Sequence, residues 1–190
     1  TADDRPLALY ANYSLHYVGD RPALSADYFG VFGDRIGALL GNPAPGFVGM
    51  LSNGTSGDVN NVNFGGPIPP KREVGERSRL VAEAVGQAAK KAADTKHSAA
   101  ITLAAAEKEF EFKVRKPSAA EIDRAKAILE KAAGRELKGS EEIYARETIL
   151  IAKYPDRVKL KLQALRVGDL GIAAIPCEVF TEIGLEIKKK

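Results

Sequence analysis

Residues 7–18 decide the fold, and they read Leu-Ala-Leu-Tyr-Ala-Asn-Tyr-Ser-Leu-His-Tyr-Val. This stretch is rich in apolar and aromatic residues, which predicts a buried strand over Leu7–Val18. A helix is predicted next over Ala26–Leu40, because large apolar residues recur there at helical spacing and Gly41-Asn42-Pro43 ends the pattern. A short apolar run at Gly46–Ser52 predicts a second strand. The opening of the chain therefore predicts a strand–helix–strand unit of an α/β protein.

The alternation of helices and strands continues along the chain. Phe110 and Phe112 alternate with charged residues, which indicates a half-exposed strand. Ser118 followed three residues later by Glu121 predicts a capping box. The remaining predicted elements are helices over Glu73–Ala93, 118–133, Ser140–Lys153 and Val179–Lys189, strands over Ile101–Val114 and Val158–Arg166, and a buried strand over Leu170–Ile175. We expect residues 1–190 to form a single α/β domain, or a fragment of a larger catalytic domain, with a mixed β-sheet flanked by helices.

Composition restricts the class of function. The 190 residues are 45% hydrophobic and 28% charged, which is typical of a folded globular chain. The net charge of +3 is too weak to indicate a nucleic-acid partner. No apolar run reaches the roughly 18 residues that a membrane-spanning helix needs. Thr1 opens onto polar sequence without a signal peptide. We expect an exported protein, periplasmic or extracellular, and its signal is then absent from this chain. Nothing in the composition indicates an oligomeric state.

His16 and Glu178 are candidate metal ligands. A neutral imidazole binds zinc well, although His16 could equally be a core or surface histidine. Glu178 follows a predicted strand and opens a predicted helix, whose N-terminus would keep the carboxylate ionised and able to bind a cation. The alternative is an ordinary carboxylate in the first turn of a helix. His97 is predicted to be a surface residue, and Cys177, the single cysteine, has no partner for a thiolate metal site.

Two further features accompany these ligands. Asp27 opens the first predicted helix, where it is either an N-cap or a partner that orients a histidine. The segment Asn53–Asn61 consists almost entirely of residues that favour tight turns, and its backbone N–H groups could cradle an oxyanion. It lacks the Gly-Lys-Ser/Thr ending of a P-loop and the Gly-x-Ser-x-Gly pattern of a nucleophile elbow. A plain connecting loop is the alternative.

Three segments, taken in order, resemble the neutral (non-lysosomal) ceramidase family. The first is Asn12-Tyr13-Ser14-Leu15-His16 with the following Leu24–Gly30. The second is Phe47–Asn61, where Gly57-Asp58-Val59-Asn60 is similar to the family's catalytic loop. The third is Leu165–Leu170 with Ile175–Thr181, which is similar to a family segment that contains a glutamate. The stretch from about Pro67 to Arg157 matches only in the order of its elements.

The resemblance implies a zinc site made by two histidines, a glutamate and a tyrosine. His16 would be one histidine and Glu178 the glutamate. The other histidine and the tyrosine have no counterpart here, so the resemblance implies a fragment of the catalytic domain. The family's catalytic serine is replaced by Asn60, and neither Thr55 nor Ser56 stands at the matching position. Asparagine can donate a hydrogen bond but cannot be a nucleophile.

The leading hypothesis is a zinc-dependent hydrolase of the ceramidase type. It would cleave an amide, such as a sphingolipid amide, or an ester of a small molecule or lipid, by a zinc-activated water. Asn60 and the backbone N–H groups of Gly57 and Asp58 would stabilise the tetrahedral intermediate, and Asp27 would orient a metal ligand. One alternative is a non-catalytic binding or scaffold domain that kept the fold and lost the serine. A hydrolase of phosphate or sulfate esters is the other.

Overall fold

The chain folds into two units in this computed structural model, which describes residues 3, 5–22, 24–67, 70, 72–95 and 100–190. The first unit contains Thr1–Ala100 and Cys177–Lys190, and the second contains Ile101–Pro176. In chain order the elements are β1 (Ala8–Tyr13), α1 (Asp27–Leu40), β2 (Val48–Asn53), α2 (Glu76–Ala93), β3 (Leu103–Lys113), α3 (Ala119–Ala132), α4 (Gly139–Ala152), β4 (Arg157–Val167), β5 (Leu170–Ala174) and α5 (Thr181–Lys188).

The first unit is built around the predicted strand–helix–strand unit. Strands β1 and β2 pair in parallel, in register from Ala8 opposite Val48 to Tyr13 opposite Asn53, and α1 connects them. One face of α1 is fully buried, because its large side chains recur every fourth residue, at Tyr28, Phe32 and Ile36. This face forms the core together with Leu15 and Ala82, and α1 packs against α2 and β2. Because Leu15 belongs to this core, the chain that follows β1 packs directly against it.

The second unit combines an antiparallel sheet, in the order β3-β4-β5, with a pair of packed helices, α3 and α4. The period-two pattern places Phe110 opposite Leu160 on one face of the sheet. The other face carries a row of ion pairs, namely Arg157–Glu111 at 2.8 Å, Lys159–Glu109 at 3.3 Å and Lys161–Glu107 at 3.0 Å. The predicted capping box is present at the start of α3, where the Ser118 hydroxyl accepts from the Glu121 N–H and the Glu121 carboxylate accepts from the Ser118 N–H.

The structure confirms the α/β class and corrects several details of the prediction. The described strands form two sheets, one parallel and one antiparallel, instead of one mixed sheet. The first strand ends at Tyr13 and not at Val18, and the last helix begins at Thr181 and not at Val179. Strand β5 was predicted to be buried, but four of its five residues are exposed. That residues 1–190 are one domain, or a fragment of one, stays a prediction.

Among the described residues, no helix combines the length and the apolar character that crossing a membrane requires.

Candidate functional site

A short loop after β2, Ser56–Val59, lies between the two segments that carry the candidate metal ligands. On one side the His16 N–H donates a hydrogen bond of 3.0 Å to the Val59 carbonyl. On the other side the Gly57 N–H donates a hydrogen bond of 2.9 Å to the carbonyl of Val179, the residue after Glu178. The loop thus brings together two segments that are far apart in the sequence, and all of these residues belong to the first unit.

His16 is half-buried and lies three residues beyond the end of β1, so the prediction that it belongs to the first strand is wrong. Strand pairing stops at Tyr13, where the Gly54 N–H donates to the Tyr13 carbonyl. The preceding residue, Leu15, is anchored in the core, and its carbonyl accepts a hydrogen bond of 2.7 Å from the Tyr28 hydroxyl. Burial, and then the charges of Tyr13 and Asp27, raise the pKa of Tyr28, so this hydroxyl stays protonated and remains a donor. The backbone at His16 is therefore fixed from both sides.

Asp27 fixes the turn that follows His16. Its carboxylate accepts hydrogen bonds from the N–H groups of Val18 at 2.9 Å, Gly19 at 2.8 Å and Tyr28 at 2.7 Å. The N-cap of α1 is Ala26, so the interpretation of Asp27 as the N-cap is wrong. Asp27 is buried and has a φ of 51°, a conformation that aspartate tolerates better than most residues. In the described part of the chain, its carboxylate thus positions the backbone beyond His16 and not the imidazole itself.

Glu178 is exposed and lies in an irregular segment between Pro176 and α5. Helix α5 begins only at Thr181, with Phe180 as its N-cap. Glu178 is therefore neither a first-turn carboxylate nor a residue at the helix N-terminus. The argument that the helix dipole keeps it ionised is wrong, because that effect is confined to the first turn.

Gly57 and Asp58 connect the loop to the segment around Glu178. The Gly57 N–H is bonded to the Val179 carbonyl, so in this structure it cannot donate to an oxyanion, which corrects its predicted role. The Asp58 carboxylate accepts from both the N–H and the hydroxyl of Thr181, each at 2.8 Å. These two bonds, the backbone one first, hold the pKa of Asp58 below its usual value. Asp58 thus supplies a negatively charged cap for α5, while the predicted oxyanion role of its N–H stays a prediction.

Asn60 is exposed at the end of the loop. Its side-chain oxygen accepts a hydrogen bond of 3.1 Å from the Val62 N–H, which is an Asx turn. The amide nitrogen of Asn60 is the atom that would donate to an oxyanion, a role that stays a prediction. The neighbouring Ser56 is buried, and its hydroxyl accepts a hydrogen bond of 2.7 Å from the Asn53 amide. Ser56 therefore stabilises the loop.

His16 and Glu178 have the donor atoms of zinc ligands, but they do not make a complete zinc site. A tetrahedral site uses three or four protein ligands. Within the described ranges, no group of three or more histidine, cysteine, aspartate or glutamate side chains is placed to hold a metal ion. His97 lies outside the described residues, and Cys177 is exposed. A complete site made from these four residue types would therefore need ligands from outside the described part of the chain.

Sequence reasoning missed one buried polar cluster in the first unit. Asp20 accepts hydrogen bonds from the N–H groups of Arg77, at 2.7 Å, and Ser78, at 3.3 Å, and from the Ser78 hydroxyl. It therefore caps the N-terminus of α2 from a distant segment. Burial alone would raise the pKa of Asp20, but the Ser78 and Arg77 hydrogen bonds and the charge of Arg21 outweigh it and hold the pKa below 3.8. A local sequence pattern cannot predict this cap, because Asp20 lies more than fifty residues before the helix that it caps.

Comparison with known proteins does not assign the site, since no protein-family model, no curated protein and no solved structure matches the chain. The ceramidase resemblance therefore depends on the quoted motifs and stays a prediction.

Proposed function

We propose that this chain is part of a ceramidase-like zinc hydrolase that cleaves an amide or an ester, and that it contributes His16 and Glu178 to the metal. One observation carries the proposal: the Ser56–Val59 loop is hydrogen-bonded on one side to His16 and on the other to the residue after Glu178. Zinc lowers the pKa of a bound water to about 7 and so supplies hydroxide at neutral pH. His16 and Glu178 would be two of its ligands, and within the described ranges no third histidine, cysteine, aspartate or glutamate joins them in a group.

The loop and its neighbours would hold the two ligand segments in place. The Asp58 carboxylate binds the start of α5, and the Asp27 carboxylate binds the turn after His16. Both contacts fix backbone, so the positions of the two segments do not depend on a metal. Asn60 would donate a hydrogen bond from its side-chain amide to the developing oxyanion, a contribution that in other enzymes amounts to about 3 kcal/mol.

A zinc measurement tests this proposal. The full-length protein is purified and dialysed against zinc. Its zinc content is then measured for the wild type, His16→Ala and Glu178→Gln. We expect both variants to lose zinc. The control is His97→Ala, which changes the only other histidine of the sequence and should keep the wild-type content. Undiminished zinc in His16→Ala would remove His16 from the site.

The second candidate function is a binding or scaffold domain without catalysis. Asn60 favours it, because asparagine cannot be a nucleophile and its side-chain oxygen already serves the local turn. The discriminating measurement is turnover of amide and ester substrates by protein whose zinc content is known. Zinc-loaded protein without turnover on such a panel would favour the binding domain.

A further inference from the structure

A cleft of about 790 Å³ opens in the first unit beside the N-terminus of α2. Its wall begins at Val18, in the turn that Asp27 holds, and continues over the start of α2. Five charged residues line it, namely Asp20, Arg21, Arg72, Glu73 and Arg77. None of them was singled out by the sequence, because they come from separate segments and meet only in the fold.

The effective charge of this cleft is positive. Three of the five charged residues are arginines. Of the two carboxylates, Asp20 is already bound to the N–H groups of Arg77 and Ser78 and to the Ser78 hydroxyl. These hydrogen bonds leave the Asp20 carboxylate charged, so it still counts against the arginines. The three arginines of the lining therefore exceed its two carboxylates, Asp20 and Glu73, by one charge.

The Arg21 side chain packs against the backbone at Gly75, where only a glycine leaves it room. Its guanidinium lies against Gly75, where an added Cβ would come within 2.9 Å of the guanidinium carbon. Gly75 also has a φ of 76°, which favours glycine. Among the described residues, the Arg21 Nε is buried and has no hydrogen-bond partner. An unpaired buried donor costs about 1–3 kcal/mol, so the side chain is held here at a cost. Because the Nε is covered, only the other atoms of the Arg21 side chain can meet a ligand in the cleft that it lines.

The other two arginines have partners that leave the guanidinium fork incompletely used. Arg77 donates to the Asn61 side-chain oxygen at 3.2 Å, which occupies one of its N–H groups. Arg72 lies 3.6 Å from the Glu76 carboxylate in a partly exposed ion pair. Each guanidinium has five N–H donors, so both can bind a further acceptor. Planar guanidinium forks match the geometry of phosphate and carboxylate oxygens.

We propose that this cleft binds an oxyanion, the phosphate or carboxylate group of a small ligand, through Arg21, Arg72 and Arg77. The proposal is independent of the metal and of the hydrolase function, since it uses neither His16 nor Glu178.

Isothermal titration calorimetry tests it, with inorganic phosphate and acetate as separate probes and chloride holding the ionic strength constant. We expect one phosphate to bind per chain. Arg21→Gln and Arg72→Gln should each weaken binding roughly tenfold, as expected for the loss of one charge-assisted hydrogen-bonding group. The matched control is Arg79→Gln, an exposed arginine of α2 outside the cleft lining, which should bind as the wild type does.

The variants also separate binding from folding. Circular dichroism reports whether Arg21→Gln is folded. If Arg21→Gln is not folded, the test of binding depends on Arg72→Gln, whose side chain lies at the exposed edge of the cleft. Binding of phosphate alone identifies a phosphate group as the ligand chemistry, and binding of acetate extends it to carboxylates. Absence of binding by the wild type overturns the proposal. Unchanged binding in a folded cleft variant, or equal weakening in Arg79→Gln, overturns it as well.

Discussion

Replacing Gly57 by alanine perturbs the contact that joins the loop to the segment around Glu178. A Cβ at this position would lie 2.6 Å from the Glu178 carbonyl oxygen and 2.6 Å from a ring carbon of Phe180. The carbonyl belongs to the backbone and cannot rotate away, so the whole Glu178–Phe180 segment has to move. Overpacking of this kind costs about 1–3 kcal/mol, and loss of the hydrogen bond to Val179 adds about 1 kcal/mol. We therefore expect the free energy of unfolding of the first unit to fall by about 2–4 kcal/mol.

Hydrogen exchange and urea unfolding measure this effect together. Exchange followed by mass spectrometry on peptides covering residues 54–60 and 178–184 reports directly on the joined segments. A loss of about 3 kcal/mol corresponds to roughly a hundredfold loss of protection. The urea midpoint should fall by about 1–2 M, given the usual slope for small proteins.

Gly65→Ala is the matched control for this substitution. An added Cβ there would have no neighbour closer than 3.8 Å, and the residue lies in the same unit and outside any helix or strand. Its stability should change by less than about 0.5 kcal/mol. Equal stability and equal protection of the two variants would refute the contact between the loop and the Glu178 segment, and with it the observation on which the proposed function depends.

Three further substitutions test the surroundings of the site and the second unit. Tyr28→Phe leaves the Leu15 carbonyl without its donor in the core and should lower the free energy of unfolding by about 1–3 kcal/mol, measured by urea unfolding. Asp20→Asn should cost about 1 kcal/mol at neutral pH, where the wild-type carboxylate is ionised. Because the pKa of Asp20 is lowered on folding, the stability difference between wild type and Asp20→Asn should shrink as the pH falls below 3.8 and through the folded-state pKa. A stability difference that does not change with pH would show that the charge of Asp20 contributes nothing. Ser118→Ala removes the capping box of α3 and should cost about 1 kcal/mol, with a matching fall in the melting temperature of the second unit.

The elements that could be predicted from the sequence are those whose causes are local. The capping box depends on two residues three positions apart, and it is present as predicted. The end of α1 is set by Gly41, which has a φ of 80°. The pairing of β1 with β2 follows from two apolar runs joined by one amphipathic helix. In each case the information lies within one element or between consecutive elements.

The errors at His16 and Glu178 have long-range causes. The strand pairing of β1 ends at Tyr13 because its partner strand β2, which lies in another segment, ends at Asn53. Helix α5 begins at Thr181, where the Asp58 carboxylate caps its first N–H from 123 positions away. A hydrophobic pattern carries no information about such partners. It therefore extended the predicted strand through His16 and began the predicted helix at Val179, directly after Glu178.

Long-range contacts also determine the roles of three aspartates near the candidate site. Asp27 and Asp58 were predicted to serve the chemistry, and Asp20 was overlooked, yet all three accept hydrogen bonds from the backbone of distant or adjoining segments. A short carboxylate that accepts two or three hydrogen bonds from another segment restrains that segment, because breaking the contact would leave N–H or hydroxyl donors without their partner. His16 and Glu178 lie in the segments that two of these connectors hold. The arrangement thus fixes the backbone beside both candidate ligands without a metal, and this is the preorganisation that the proposed metal site would require.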